Sequence, residues 1–314
     1  MKAVRIHEFG GPGVLQLEEV TTPKPKRGQV LVRVHAAGVG VWEVDIREGE
    51  WQGFIDYPLP LIIGTDMSGT VEAVGAGVKG VRVGDEIYGV ADMTLSGAYA
   101  EFALTTPDSI ARKPKSLNFI EAASVPVSAV TAWLMINDLG ELKSKQTVLI
   151  HGAAGAVGSY AVQLAKLKGA AVIATGSKED ARFVRSLGAD IFIDYHSKDF
   201  AEQVEGVDLV IDLVGGETKR RSFDVIKKGG TLISAPEPLT KQDQKLAKQH
   251  DVRVEFVECV PTKQLLQKMT RLIDSEKLRT NVGNIIPIAK IQHAQELLEN
   301  GKAKRGKVVL KVAV

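Results

Sequence analysis

The chain is poor in cysteine and carries little net charge. Cys259 is the only cysteine among 314 residues, which excludes an internal disulfide bond and a zinc site built from several cysteines. This usage is compatible with a reducing compartment, and we expect a cytoplasmic protein. The formal net charge of +2 gives no electrostatic reason to expect nucleic acid or an anionic membrane as a partner.

Long apolar segments are also scarce. Residues 1–11, MKAVRIHEFGG, lack the apolar core of a secretory signal peptide. Residues 146–165 carry no formal charge over a length that could cross a membrane. Three glycines and several polar side chains argue against a membrane span, and we expect a soluble protein. These polar residues are Gln146, His151, Ser159 and Gln163.

The segment from Thr147 to Lys168 predicts a nucleotide-binding turn. It opens with the branched, apolar run 148–150, typical of a buried strand. Glycines follow at positions 152, 155 and 158, and apolar residues then recur at helical spacing. Strand, glycine turn and helix follow each other in this order in dinucleotide-binding units.

A pyrophosphate needs backbone N–H groups and the positive end of a helix dipole. Gly155 and Gly158 take the second and third glycine positions of the G-x-G-x-x-G pattern, whereas Ala153 replaces the first. The alternative is a tight strand-to-helix turn without a ligand. The residues predicted to contact the cofactor here are Ala154, Gly155, Ala156, Val157 and Gly158.

The fold class predicted from these patterns is α/β with two domains, because one hydrophobic core rarely serves more than about 300 residues. Residues 1–124 contain short alternating runs separated by glycines, which predicts a compact, mostly antiparallel β domain. Strands and helices then alternate, which predicts a parallel, doubly wound sheet. The further strands are expected at 171–174, 191–193, 207–214, 231–233 and 252–256, with a helix at 179–187.

The end of the second strand in this domain distinguishes NAD from NADP. NAD-binding proteins generally carry an acidic residue there, which bonds the ribose 2′-hydroxyl. This chain has Gly176, Ser177 and Lys178 instead, which favours NADPH because a hydroxyl and an ammonium can bind a 2′-phosphate. In one alternative Ser177 only caps the helix, with Asp180 completing a capping box. In another, Glu179 binds the ribose of NAD.

Several motifs along the chain resemble a known family. Besides residues 153–158, they are AAGV at 36–39, REG at 47–49, VGAGVKGVRVGDEIYG at 74–89 and GKVVL at 306–310. Together they resemble the zinc-independent medium-chain dehydrogenases/reductases, in the quinone oxidoreductase (zeta-crystallin-like) branch. The resemblance implies a GroES-like β domain at 1–124, a Rossmann NADP-binding domain at 125–260, and a segment at 261–314 that returns to the first domain.

The resemblance also implies a metal-free reduction. The zinc-dependent branch has a cysteine and a histidine where this chain has Gly40 and Thr65. The six histidines of this chain are scattered and show no ligand spacing. Without a metal, a conjugated acceptor is suitable because it delocalises negative charge. We therefore expect NADPH-dependent reduction of quinones. The alternatives are an NADPH-dependent alkenal or enone double-bond reductase, and a non-enzymatic NADPH-binding protein with a structural or regulatory role.

Further residue roles follow from the resemblance alone. Thr131 matches a position near the nicotinamide, or is a helix hydroxyl bonded to its own backbone. Tyr195 matches a position near the adenine-side phosphate, or is an ordinary strand-end aromatic. The branch often has asparagine at Gly40 and tyrosines at Asp45 and Trp51. The predicted substrate-pocket residues are Asp45, Trp51 and Tyr57.

No side chain is predicted as the general acid, and solvent can protonate the product. Asp66 is expected to make a structural hydrogen bond to a neighbouring strand rather than to orient a proton-donating water. Members of the family often dimerise by pairing edge strands of the Rossmann sheet. Residues 252–257 are therefore the predicted edge of a homodimer.

Overall fold

A computed structural model describes residues 1–53 and 57–312. It divides the chain into two compact units. The first contains Met1–Val127 and Val260–Val314, and the second contains Ser128–Cys259. The division at 124/125 and 260/261 into three segments stays a prediction.

The described residues form short strands at both ends of the chain and alternating strands and helices in the middle. The strands are β1 (Lys2–Ile6), β2 (Gln16–Glu19), β3 (Val30–Val39), β4 (Leu61–Ile62), β5 (Asp66–Val74), β6 (Glu86–Val90), β7 (Phe102–Thr105), β8 (Ile110–Arg112), β9 (Thr147–Ile150), β10 (Ala171–Gly176), β11 (Ile191–Asp194), β12 (Val207–Asp212), β13 (Ile226–Ser234), β14 (Arg253–Phe256), β15 (Val282–Pro287) and β16 (Lys307–Lys311). The α-helices are α1 (Val41–Glu48), α2 (Phe119–Ala123), α3 (Pro126–Trp133), α4 (Ala156–Leu167), α5 (Ala181–Ser186), α6 (Gly216–Ser222), α7 (Lys241–His250), α8 (Lys263–Asp274) and α9 (Ile291–Glu299).

The first unit is built on a larger sheet with the order β15-β16-β3-β5-β6-β8, with β7 also paired to β3, and on a smaller sheet with the order β2-β1-β4. All of these pairs are antiparallel except β15 with β16. Because side chains alternate along a strand, Val30, Val32 and Val34 of β3 point to one face and join a buried core. The predicted mostly antiparallel β architecture is confirmed.

The last strand of the chain lies inside this sheet. β16 pairs antiparallel with β3, placing Val308 opposite Val39 and Leu310 opposite Ala37. Val308 and Leu310 are fully buried. The C-terminal segment therefore supplies a central strand of the first unit and part of its core.

The second unit is a parallel sheet with the order β11-β10-β9-β12-β13-β14. Numbered within the unit this is 3-2-1-4-5-6, the order of a doubly wound dinucleotide-binding sheet, and the predicted fold class is confirmed. The predicted nucleotide turn follows β9, next to the point where the strand order reverses. β14 lies at one end of the sheet.

Local differences from the predicted elements have simple causes. The helix expected at 179–187 starts as a 3-10 turn over Lys178–Asp180 before α5 begins. α2 ends at Ala123 and α3 begins at Pro126, which lacks an N–H donor and is favoured at the first position of a helix. Residues 146–165 contain a strand, a turn and part of α4. In the described part of the chain no helix is long and apolar enough to cross a membrane.

Candidate functional site

The turn between β9 and α4 has the geometry of an anion-binding site. Gly155 is the N-cap of α4 and is exposed, and its N–H donates to the carbonyl of Gly152 at 3.1 Å. Ala153 N–H donates to the carbonyl of Thr175 at 3.2 Å, which anchors the turn to the end of β10. The first N–H groups of α4, including those of Ala156 and Val157, have no acceptor within the helix. They and the helix dipole can bind a phosphate.

Two glycines of this turn have different steric roles. A Cβ atom built on Gly158 would lie 2.2 Å from the carbonyl oxygen of Gly152 and 2.7 Å from the Cα of Ala153. Gly158 therefore allows α4 to pack closely on the turn. A Cβ atom on Gly155 would meet only the oxygen of Gly152, at 3.3 Å. The backbone of Gly155 faces outward, where a ligand can approach it.

The predicted NADP-discriminating residues lie together at the carboxyl ends of β10 and β11. Gly176 is opposite Asp194, and the N–H of Tyr195 donates to the carbonyl of Gly176 at 3.3 Å. Lys178 is exposed, and Tyr195 is 57% exposed. A Cβ atom on Gly176 would lie 3.1 Å from the ring of Phe192, so this strand end has little room for a side chain.

Ser177 does not cap the helix in the expected way. It is the N-cap of the 3-10 turn, but its side chain accepts no capping hydrogen bond. Its hydroxyl instead donates to Oδ2 of Asp180 at 2.7 Å. To bind a 2′-phosphate, this hydroxyl must turn away from Asp180.

His151, at the end of the β9 strand, is a buried neutral residue. Its Nδ1 lies 3.0 Å from Oγ1 of Thr175, and its Nε2 lies 3.0 Å from Oγ of Ser222. Burial lowers its pKa from 6.5 to about 4. The Ser222 hydroxyl donates to the carbonyl of Thr218, so Nε2–H donates to Ser222 and Nδ1 accepts from Thr175.

Thr131, the residue predicted near the nicotinamide, is buried on α3.

In the first unit, a buried cluster of three charged residues lies at the N-terminus of α1. Nζ of Lys307 pairs with Oδ2 of Asp66 at 2.7 Å, and both side chains are almost fully buried. Glu43 accepts hydrogen bonds from the N–H groups of Gly40 at 2.9 Å and Thr65 at 3.0 Å. Burial raises the pKa of the Glu43 carboxyl; the charge of Lys307 lowers it and that of Asp66 raises it.

The expectation for Asp66 was wrong in its partner. Its Oδ1 accepts from Val127 N–H at the start of α3, at 2.8 Å, and its Oδ2 pairs with Lys307 of β16. β16 is separated from β5, which begins at Asp66, by β3. The carboxylate is thus held by a helix N-terminus and by an ammonium, both of which stabilise its negative charge.

Glycines 38 and 40 make room for the Lys307 side chain. A Cβ atom on Gly38 would lie 2.8 Å from Cε of Lys307, and one on Gly40 would lie 3.2 Å from its Nζ. The A-A-G-V-G stretch at 36–40 therefore has a steric reason to contain both glycines. Sequence reasoning identified Gly40 but missed Lys307 and Glu43. GKVVL had been noted only as a motif, and no local pattern connects residues 307 and 40.

The predicted substrate-pocket residues lie in two different environments. The rings of Trp51 and Trp42 are 4.6 Å apart, and with Tyr57 they pack against the core of the first unit. Burial and the carboxylates of Glu43 and Asp92 raise the pKa of Tyr57 to about 12. Residues 54–56 lie outside the described ranges.

Asp45 is half-buried on α1. Burial, followed by the charges of Glu48 and Glu50, raises its pKa from 3.8 to about 6. The charges that act on Asp45 belong to α1 and the turn after it, whereas Tyr57 is influenced by Glu43 and Asp92. Glu43, a member of the buried cluster with Lys307, influences Tyr57, and Asp45 lies two residues after Glu43 on α1.

The family models and the similar proteins all point to the same family of dehydrogenases and reductases. Residues 26–115 match the family described as alcohol dehydrogenase GroES-like domain, and residues 187–310 match the family described as zinc-binding dehydrogenase. The chain is 30% identical to the quinone oxidoreductase of Mus musculus, over 99% of this chain and 97% of that protein. It is 34% identical to the 2-methylene-furan-3-one reductase of Solanum lycopersicum, over 99% of this chain and 79% of that protein.

A solved structure extends the likeness to the fold. The crystal structure of Escherichia coli quinone oxidoreductase complexed with NADPH matches with a TM-score of 0.91 at 28% identity, covering 99% of this chain and 100% of that one. The relatives and the solved structure support an oxidoreductase that uses a nicotinamide cofactor. The chain belongs to the medium-chain dehydrogenase/reductase family, in its quinone oxidoreductase branch. The resemblance inferred from the sequence motifs is confirmed.

The zinc named in one family description does not fit the residues present. Across residues 1–53 and 57–312, no three His, Cys, Asp or Glu side chains are grouped as a metal ion would need. Beside Gly40, the space next to the backbone holds the Lys307 ammonium, which is itself a cation.

Proposed function

We propose that this protein reduces quinones with NADPH, by hydride transfer and without a metal. The observation that carries the cofactor assignment is the strand end at Gly176, Ser177 and Lys178. None of these three residues carries a carboxylate, the group that bonds the ribose of NAD at this place. The exposed ammonium of Lys178 can then pair with a 2′-phosphate that a carboxylate would repel.

The proposed cofactor contacts lie at the turn between β9 and α4 and at the carboxyl ends of β10 and β11. The pyrophosphate lies on the backbone at Ala154, Gly155, Ala156, Val157 and the close-packed Gly158. The 2′-phosphate lies near Ser177 and Lys178, beside Gly176 and Tyr195. Thr131 contacts the nicotinamide side. The similar Escherichia coli quinone oxidoreductase, which is described as complexed with NADPH, supports this choice over NADH.

The acceptor is proposed from the chemistry of the first unit. When bound, NADPH supplies a hydride and is thereby oxidised to NADP⁺. Aromatic Trp51 and Tyr57 provide apolar surface for a planar acceptor, with Asp45 at its margin. A double-bond reductase acting on enones is the second candidate, favoured by the likeness to the 2-methylene-furan-3-one reductase. It is also favoured because this chain has Asp45 and Trp51 where quinone reductases often have tyrosines.

The reaction is tested by the loss of reduced-nicotinamide absorbance with an ortho-quinone and, in parallel, with an enone. NADH in place of NADPH is the control for the cofactor. Rapid oxidation with NADPH and the quinone is expected. Turnover with the enone alone would replace the quinone assignment, and silence with both acceptors despite NADPH binding would favour a non-enzymatic role.

The cofactor preference has its own test in Lys178→Ala. Loss of the ammonium should weaken NADPH binding by about 1.5 to 3 kcal/mol, the usual value of a hydrogen bond to a charged group, and leave NADH binding unchanged. Lys168→Ala is the matched control, because it removes the same charge at the far end of α4. Equal losses of NADPH and NADH affinity in Lys178→Ala would contradict the assignment.

A further inference from the structure

We propose that the buried ammonium of Lys307 is the fixed positive charge of the acceptor site, against which the carbonyl oxygen of the acceptor lies as it becomes negative. The inference deepens the proposed function, on which the class of acceptor rests. In this role Lys307 stabilises the negative charge on the acceptor oxygen, as a metal ion does in other reductases.

The position of the ammonium is well determined by its surroundings. The Lys307 side chain is 6% exposed, and its Nζ is held by Asp66 at 2.7 Å. Its Cε lies 2.8 Å from where a Cβ on Gly38 would be, so the chain passes directly over a residue without a side chain. An ammonium held in this way needs little reorganisation when a negative charge forms beside it.

The ammonium also lies close to an accessible part of the backbone. Gly40 is partly exposed, and Nζ of Lys307 is 3.2 Å from the position of its missing Cβ. Any side chain at residue 40 would occupy the space next to the charge. Glu43 borders the same space, since its Oε2 lies 3.1 Å from that Cβ position, and Tyr57 is close enough to be influenced by Glu43.

Each carboxylate beside Lys307 also has a backbone donor of its own. Oδ1 of Asp66 accepts from Val127 N–H, and the two oxygens of Glu43 accept from Gly40 N–H and Thr65 N–H. These hydrogen bonds also stabilise the carboxylates, so Lys307 is not their only positive partner. In a buried site the field of the ammonium is screened less than in water.

The chemical step that the charge would assist is a conjugate addition. In an enone, the hydride forms a C–H bond at the β-carbon, the C=C electron pair moves into the bond to the carbonyl carbon, and the C=O pair moves onto oxygen. Water then protonates the α-carbon of the enolate. In a quinone, the hydride forms an O–H bond at one carbonyl oxygen, the ring electron pairs shift toward the other carbonyl, and its C=O pair moves onto oxygen; the resulting hydroquinone monoanion takes its second proton from water. In both cases a full negative charge develops on an oxygen, which Lys307 stabilises.

The charge is tested with 4-nitrophenol, whose phenolate and phenol forms differ in visible absorbance. The full-length protein saturated with NADP⁺ is titrated with 4-nitrophenol at several pH values. We expect the wild-type protein to bind phenolate at least about tenfold more tightly than phenol, as a nearby partly desolvated cation would require. A phenolate oxygen is a suitable probe because it resembles that of a hydroquinone monoanion.

Two variants separate charge from structure. Lys307→Met alone would leave Asp66 buried without its counter-ion and could unfold the protein. The double variant Lys307→Met with Asp66→Asn removes both charges at nearly constant volume, and should lose the phenolate preference. Asp66→Asn alone removes only the anion at nearly constant volume and leaves Lys307 without its counter-ion, so it should increase the phenolate preference. A role in folding alone would not move the two variants in opposite directions.

Turnover supplies a second readout. The double variant should lose at least about a hundredfold in kcat, as for removal of one oxyanion-stabilising donor, with the NADPH dissociation constant unchanged. Thermal unfolding checks that both variants are folded. Unchanged phenolate preference in a folded double variant, or no saturable phenolate binding to wild type, would overturn the inference. Phenolate preference in a wild-type protein that reduces no quinone or enone would instead refute the proposed function and leave the charge at Lys307 established.

Discussion

Two alanine substitutions in the glycine turn, at Gly158 and at Gly155, should separate the steric needs of folding from those of cofactor binding. In Gly158→Ala, the new Cβ would lie 2.2 Å from the carbonyl oxygen of Gly152 and 2.7 Å from Cα of Ala153. Both are backbone atoms, so the start of α4 must move by about 1 Å to restore an ordinary contact. Overpacking of this kind costs about 1 to 3 kcal/mol. We expect the second unit to unfold roughly 3 to 9 °C lower.

Gly155→Ala is the matched substitution three residues earlier. Its Cβ would meet only the oxygen of Gly152, at 3.3 Å, and the backbone angle φ of −73° suits an L-residue. Alanine restricts the unfolded chain but is a poorer N-cap than glycine, and each effect is below about 1 kcal/mol. Stability should therefore change little. NADPH affinity should still fall about tenfold, because the methyl group stands where the backbone meets the pyrophosphate.

The two variants are compared by thermal unfolding without nucleotide and by titration with NADPH. Gly158→Ala should lower both the unfolding temperature and the affinity, whereas Gly155→Ala should lower only the affinity. An unfolding temperature for Gly158→Ala equal to that of wild type would show that α4 does not depend on this close approach. A stable Gly155→Ala protein with full NADPH affinity would show that the pyrophosphate does not lie on this turn.

Two other predictions concern stability and assembly. His151 is neutral in the folded protein with a pKa of about 4, against 6.5 when unfolded, so the unfolded chain binds more protons between these values and stability falls as the pH drops from 6.5 to 4. The loss should reach about 3 kcal/mol at pH 4 by chemical denaturation, and a His151→Asn curve as steep as that of wild type would contradict it. β14, at the edge of the parallel sheet, is proposed to pair with β14 of a second copy. Light scattering should then report a dimer, and a monomer at working concentration would remove this proposal.

The doubly wound sheet was predictable because each of its strands and helices is specified by residues close together in the sequence. Each strand is a short branched run, and each crossover helix follows within a few residues, so period and punctuation are enough. The turn at 152–158 was recognisable for the same reason. The end of β10 could be interpreted because the second strand follows the turn at a nearly constant distance. The pairing of Ser177 with Asp180 was anticipated as a capping box, but the bond that replaces this box, from the Ser177 hydroxyl to Oδ2 of Asp180, required coordinates.

The Lys307 cluster could not be predicted because its members come from distant parts of the chain. Glu43 follows β3, Asp66 begins β5, and Lys307 begins the last strand. Sequence patterns indicate that a strand is buried, but not which strand becomes its neighbour. The sequence shows glycines at positions 38 and 40, but the steric need for them depends on the Lys307 side chain, which lies against both.

The position of β16 beside β3 has a consequence for synthesis of the protein. The ribosome makes residues 128–259 in one uninterrupted stretch, whereas the larger sheet of the first unit lacks a central strand until residues 307–311 emerge. Until then the side of β3 that will bind β16 presents unpaired N–H and C=O groups, a template for pairing with other chains. The nascent protein therefore carries a finished nucleotide-binding unit for some time before its first-made unit can close, and is most exposed to aggregation during that interval.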